Sequence, residues 1–248
     1  MAPTPVSVLL TSGIAPDRAL RLAHSLGLPC RPAAPDAAAP ADGTADPRAA
    51  LLVQGEGAGA VDLWQRPVAA WVEVGPLTDD ALAQAVSAAS AADLFASFTT
   101  ASANRLHLAG RLVAAIAERR PLSDAQRDDL ELALHEAISN ALVHGNLQVE
   151  GMKGLSVAAL DRFSAELASR MADPAYAGRR IVVRAWLEPR ACVVEVADEG
   201  TGFAPRAPAG TGTAGGGASG RGLDLISAIA EGYELLDDGR RIRMRFRL

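Results

Sequence analysis

A chain of 248 residues that is 49% apolar can bury one large core or two small ones, and with only 4% aromatic residues that core must be filled mainly by alanine and aliphatic side chains. A net charge of −5, with both signs mixed along the sequence, argues against nucleic acid or an anionic membrane as the main partner. No stretch approaches the roughly 18 uninterrupted apolar residues of a membrane span, and Val6–Leu10 is too short and lacks the preceding basic residues of a secretion signal. The two cysteines, Cys30 and Cys192, form no CxxC, so a cytoplasmic protein without a disulfide framework or cysteine metal site is expected.

Val6 to Leu10 reads as a buried strand ended by Thr11-Ser12-Gly13. Ala15 to Leu26 has helical spacing, with Leu20, Leu22, Ala23 and Leu26 expected on one side. Residues 32–49 are Pro, Ala, Asp and Gly with almost no large apolar side chain, a composition that predicts a mobile loop. Leu51–Gln54 and Pro67–Val74 read as strands, with a short helical piece at Val61–Gln65 between them. Thr78 caps a helix from Asp79 to about Ala92, whose Asp79 and Asp80 suit the positive end of the helix dipole. Strands alternating with helices predict a small α/β domain over residues 1–92. This part resembles a shrunken receiver domain. The places where a receiver needs an acidic pair and a phosphoacceptor Asp read Thr11-Ser12-Gly13 and Gln54-Gly55-Glu56. The resemblance therefore implies a pseudo-receiver that is not phosphorylated in the usual way. A docking or dimerisation domain, and with it a homodimer, is the alternative.

Residues 93–248 form the second expected domain. Leu94–Ala101 alternates as a strand, and a helix follows from Ala103 to about Arg119, ended by Pro121. Ser123 and Gln126 have capping-box spacing at the start of a long helix. Its buried face is Leu130, Ala133, Leu134, Ala137, Ile138 and Ala141. Glu136, Asn140 and His144 stand at i, i+4 and i+8 and can face one cleft. Asn is a poor helix former, so its place beside a core stripe calls for a hydrogen-bonding or metal-ligating reason. Gly145 is expected to stop the helix in a left-handed conformation. His135-Glu136 begins like a zinc-protease motif, but Ser139 takes the second histidine's place, so no zinc site is read here. Residues 156–171 carry an inserted amphipathic helix.

Arg179–Trp186 and Ala191–Val196 read as adjacent strands, the second running into Asp198-Glu-Gly-Thr-Gly-Phe203. A carboxylate at a strand end followed by alternating glycines lets backbone approach a flat ligand, and an ionised Asp suits an exocyclic amino group. Residues 204–219 read as a flexible lid. Their formal GxGxxG follows no strand, so neither a Rossmann site nor a P-loop is implied. Gly220-Arg221-Gly222-Leu223 then opens a helix whose glycine-rich N-terminus suits phosphate. A hairpin around Asp237-Asp-Gly239 closes the chain, with arginines on its wet face.

Glu136-x-x-x-Asn140, Asp198-x-Gly200-x-Gly202 and Gly220-x-Gly222-Leu223, in this order, resemble the N box and two glycine boxes of the GHKL ATPases: gyrase, Hsp90, histidine kinases and MutL. The nearest likeness is to bacterial anti-sigma serine kinases, in the style of Glu-Ala-x-x-Asn-Ala-x-x-His-Gly and Gly-Arg-Gly-Leu-x-Leu-Ile. The resemblance implies a Bergerat-type α/β sandwich, a mixed sheet with helices on one face, that binds ATP and Mg²⁺. It implies Asn140 on Mg²⁺, Glu136 as general base, Asp198 on the adenine amino group, Gly200 and Gly202 in the adenine pocket, and Gly220 to Gly222 at the phosphates. His144, Asn146 and Arg221 are further candidate nucleotide contacts. The implied function is an ATP-dependent serine kinase acting on a protein partner, a sigma factor or its regulator. A nucleotide-gated binding module and the catalytic half of a split histidine kinase are the alternatives.

Overall fold

The computed structural model describes residues 3–33, 48–55, 59, 61–151, 156–202 and 221–248, with the side chains of all of these but 61, 62 and 221. The lid expected at 204–219, Gly220 and most of the loop expected at 32–49 lie outside the described residues.

Among the described residues the apolar runs form nine strands: β1 (Val8–Ser12), β2 (Cys30–Pro32), β3 (Ala49–Val53), β4 (Val68–Glu73), β5 (Leu94–Thr99), β6 (Arg180–Glu188), β7 (Ala191–Asp198), β8 (Gly232–Leu236) and β9 (Arg241–Arg247). All join one sheet in the order β2-β1-β3-β4-β5-β6-β7-β9-β8. Neighbours from β2 to β5 are parallel, and those from β5 to β8 are antiparallel. β5 is the seam. Its Phe95 pairs with Ala70 of β4 on one side and with Arg184 of β6 on the other. The sheet thus runs unbroken across the division expected at 92/93.

The helices are α1 (Pro16–Leu26), α2 (Asp79–Ala89), α3 (Thr100–Leu106), α4 (Leu108–Arg119), α5 (Asp124–Asn140), α6 (Val157–Ala172), α7 (Pro174–Ala177) and α8 (Arg221–Ile229). α1 and α2 cover one face of the parallel half, with Leu22, Leu82 and Val86 packed in a core with Leu9, Leu52, Val72 and Phe95. On the other face a larger core runs the length of the sheet, joining Leu112 and Ile116 of α4, Leu130 and Leu134 of α5 and Ile226 of α8 to Leu51, Trp71, Phe98, Val194 and Met244. Covered on both faces, β3 and β4 are buried at every residue. β9, covered on one face, alternates: Ile242, Met244 and Phe246 point in, and Arg241, Arg243, Arg245 and Arg247 take the wetter side. There the buried Glu195 of β7 receives Arg184 at 3.0 Å, Arg241 at 3.4 Å and Arg243 at 3.0 Å. Among the described residues no helix is long and apolar enough to cross a membrane.

Local signals are met where they were expected. Thr78 Oγ1 accepts from Ala81 N–H at 3.2 Å, and a 3-10 turn occupies Val61–Trp64. Trp64 stacks on Trp71 with centroids 4.5 Å apart, and Trp71 Nε1 donates to Leu63 O at 2.7 Å, so the few aromatics tie this turn to β4. Three features differ from expectation. β2 is an unforeseen edge strand, only three residues long and ending in Pro. The helix expected from Ala103 to Arg119 is two, α3 and α4, broken at His107, whose φ is 48°. Leu20 is 63% exposed, whereas Ala19, Leu22 and Ala23 of α1 are buried.

That last contrast is measurable. Leu22→Ala should cost about 2–5 kcal/mol of unfolding free energy in urea, and Leu20→Ala less than about 0.5 kcal/mol. Equal effects would mean that α1 turns a different face to the sheet.

Candidate functional site

α5 starts with a complete capping box: Ser123 Oγ accepts from Gln126 N–H at 3.3 Å, and Gln126 Oε1 accepts from Ser123 N–H at 2.9 Å. Its stripe of Leu130, Ala133, Leu134, Ala137 and Ile138 is buried, which fixes the helix's rotation about its axis. Glu136 and Asn140 are then half-buried and turned toward α8. A Cβ on Gly222 would stand 2.8 Å from Glu136 Oε2 and 3.1 Å from Asn140 Nδ2. Any larger residue at the start of α8 would push the Glu136 and Asn140 side chains from these positions.

Past Asn140 the helix widens. Ala141–Asn146 form a π-helical segment, and Leu147 N–H donates to Leu142 O at 2.9 Å. Such widened turns are frequent at functional sites. The left-handed stop expected at Gly145 is therefore corrected: the helix continues through it, and the positive φ of 54° falls on Gln148. Gly145 is needed for space instead. A Cβ there would lie 2.4 Å from Asp198 Cγ, and one on Gly200 would lie 2.2 Å from Gly145 O. Gly202 has φ 85°, and its added Cβ would meet Asp238 O of the β8–β9 turn at 2.2 Å. The Asp198-x-Gly-x-Gly segment is thus wedged between the end of α5 and the C-terminal hairpin.

Asp198 ends β7, and its Oδ1 accepts from Gly200 N–H at 2.8 Å, which leaves the other oxygen as an acceptor. Burial pushes its pKa up to about 6. The Gly200 N–H and the charges of Arg240 and Arg179 pull the other way, and Glu199 adds to the rise. His144 Nδ1 lies 2.8 Å from Val149 O. A carbonyl only accepts, so Nδ1 carries the proton and Nε2 of the neutral ring is an acceptor. Asn146 is fully buried. Its Nδ2 donates to Thr100 Oγ1 and Arg180 O, both at 2.9 Å, and its Oδ1 accepts from Glu199 N–H at 2.8 Å. Both ends of that amide are engaged by protein, so Asn146 joins α5 to β6 and to the residue after Asp198. Arg221 opens α8.

Behind this wall lies a polar chain that the sequence did not announce. Arg180 N–H donates to Glu199 Oε2 at 2.7 Å, while its guanidinium donates to Ser97 Oγ at 2.9 Å and to Glu73 O at 2.9 Å. The Glu73 carboxylate accepts from Thr99 N–H at 2.6 Å and from Ser102 Oγ at 2.7 Å. Glu73 and Arg180 are 6% and 8% exposed, so the Glu73 carboxylate depends on Thr99 and Ser102, and the Arg180 guanidinium on Ser97 and the Glu73 carbonyl. The one signal in the sequence was an acidic residue ending the otherwise apolar run Val68-Ala-Ala-Trp-Val-Glu73. Both cysteines stand apart from this, and burial pushes the Cys192 thiol up to about 12, which keeps it unreactive.

The structure thus holds two groups along one helix. Glu136, Asn140 and Gly222 meet at one place, and Gly145, Asp198 and Gly200 at the other, with Gly202 beside them against the β8–β9 turn. Glycine-lined backbone beside a partly buried carboxylate fits a flat base bearing an amino group, and a glycine at a helix start beside Asn and Glu fits phosphates with a cation. Such an arrangement is compatible with a nucleotide-binding α/β domain. A family model, that of the histidine kinase-like ATPase domain, matches residues 99–246, more than half of the chain, and the protein belongs to that family. Its mixed α/β sheet is the fold of that family, and ATP is the ligand its membership assigns. No curated protein matches the chain.

The raised pKa of Asp198 has a stability consequence. A folded pKa of about 6 against the ordinary carboxyl value of 3.8 means that folding favours the protonated form. The stabilising contribution is present below pH 3.8 and is lost as pH rises through about 6. Asp198→Asn escapes that loss. Relative to wild type, it should gain about 1–2 kcal/mol in urea unfolding between acid and neutral pH, an amount discounted for partial exposure. A difference independent of pH would remove the burial argument.

Proposed function

We propose that this protein is an ATP-dependent serine kinase of the anti-sigma type, which transfers the ATP γ-phosphate to a protein partner in the cytoplasm. The observation that carries the reading is the seating of Gly222 against both Glu136 and Asn140, because it sets a potential base and a potential cation ligand at one helix start. The motif style of residues 136–145 and 220–226 supports the anti-sigma branch.

Asp198 accepts from the adenine amino group, with Gly145, Gly200 and Gly202 fixing the place of that carboxylate by their close packing. Asn140 holds Mg²⁺, which would neutralise phosphate charge when bound. Among the described residues no three His, Cys, Asp or Glu side chains cluster as a metal site, and a cation shared between phosphates and one or two protein ligands has no need of such a cluster. Glu136 takes the proton of the attacking serine hydroxyl. Gly220, Arg221 and Gly222 serve the phosphate end, and His144 offers Nε2 as an acceptor to a donor in the cleft. Asn146 acts by position, through Glu199 and Arg180. The parallel order β2-β1-β3-β4-β5 supports a receiver-like reading of the N-terminal layer, which lacks the acidic pair and so serves partner docking or dimerisation. The partner is a sigma factor or one of its regulators.

Calorimetry with Mg-ATP should give Asp198→Asn a loss of about 1.5–3 kcal/mol, roughly ten- to 150-fold in affinity. Glu136→Ala should bind ATP nearly as wild type and leave no phosphoserine on the partner. Unchanged transfer would remove the base assignment. ATP-dependent partner binding that survives Glu136→Ala without any transfer in wild type would mark a nucleotide-gated binding module instead.

A further inference from the structure

A second cavity, apart from the nucleotide groups, has a volume of about 290 Å³ and is lined by Gly55, Gly59, Ser102, Arg105, Leu106 and Arg111. Gly55 stands just beyond the C-terminal end of β3, where the parallel strands reverse direction of succession between β1 and β3. Open parallel sheets bind their ligands in the crevice outside the strands' C-terminal ends, at such a reversal. Gly55 has φ 61°, and nothing lies within 4 Å of a Cβ built on it, so its backbone faces open space.

The lining is cationic. Arg111 is held in place: its Nε donates to Leu106 O at 2.8 Å, its Nη2 to Gly59 O at 2.9 Å, and its guanidinium lies 5.7 Å from the Trp64 ring centroid. Arg105 Nη2 donates to Ser102 Oγ at 3.3 Å. The partners of these guanidiniums are neutral carbonyls, a ring and a hydroxyl, and among the described residues neither pairs with a carboxylate. Two guanidiniums, one fixed on α4 and one adjustable on α3, line this small cavity and offer N–H donors to the oxygens of an oxyanion.

We propose that this cavity is a binding site for a small oxyanion, the phosphate or carboxylate group of a metabolite, held between Arg105 and Arg111. The cavity sits on α3 and α4 rather than on α5 and α8. The ligand's negative charge would supply the counter-charge that these neutral partners do not give the two guanidiniums. Ser102, which Arg105 touches, is also bonded to the Glu73 carboxylate, so the site lies at one end of the buried polar chain that reaches Asn146. The proposal does not depend on the kinase reading.

The test uses the full chain without nucleotide. Inorganic phosphate and succinate are each titrated at constant ionic strength while the melting temperature and calorimetric heat are followed, in wild type, Arg105→Gln, Arg111→Gln and Glu136→Ala. A saturable rise in wild type and Glu136→Ala, weakened at least about tenfold in Arg105→Gln, is expected. Saturation by phosphate alone would assign a phosphate ester, and saturation by succinate alone a dicarboxylate. Absence of saturable binding of either anion to wild type overturns the proposal. Binding unchanged by Arg105→Gln also overturns it. Arg111 is anchored to backbone, so if its variant unfolds, the exposed Arg105 decides.

Discussion

The arrangement around Asp198 depends on the close approach of two pieces of backbone, Gly145 at the end of α5 and Asp198–Gly200 at the end of β7. A single methyl on either glycine would overlap its neighbour, at 2.4 Å from Asp198 Cγ or 2.2 Å from Gly145 O. The surrounding sequence can be understood as what makes that approach reproducible. The capping box fixes where α5 starts, its buried stripe fixes how it is rotated, and the π-helical segment shifts its last residues relative to the sheet. Asn146 then closes the joint with hydrogen bonds to α3, to β6 and to the residue after Asp198. The carboxylate is partly desolvated by this contact, and its raised pKa follows from the same closeness.

The second constraint is the seam. Arg180 of β6 and Glu73 of β4 are both nearly buried, and they bring charges from opposite flanks of β5 into one cluster with Ser97 between them. Burial lowers the Arg180 pKa, and Glu73 and Glu199 oppose that effect. Removing one member would leave the rest buried and uncompensated, which is far worse than never having built the cluster. Apolar side chains hold the layers together, and this cluster specifies which strand ends lie side by side.

What could be read from the sequence divides along sequence separation. Helix spacing, the Thr78 and Ser123 caps and the hairpin at Asp237 are encoded within a few residues, and the structure forms each of them. The motif residues Glu136, Asn140 and Asp198 could be picked out because their spacing along a helix or after a strand is itself informative. The bond from Arg180 to Glu73 spans 107 residues, and neither residue has a local pattern to reveal it. The left-handed stop read at Gly145 failed for a related reason. Glycine there answers to a residue more than fifty positions away rather than to its own φ. The exposed Leu20 shows the same limit, since periodicity names a face without saying where the neighbouring layer ends.

β5 also determines where this protein could be cut or recombined. The family match starts at Thr99, the last residue of that strand. A fragment begun there would discard β5 and leave the inner edge of β6 bare. A fragment begun at Leu94 would keep the strand but strip β4 from it, exposing the edge that pairs Phe95, Ala96 and Ser97 with Ala70, Trp71 and Val72. That edge is buried throughout, with no charge, proline or bulge to deter pairing with another chain. The N-terminal layer is therefore a solubility shield as well as a neighbour, and any module exchanged for it would have to bring its own parallel strand to close the gap.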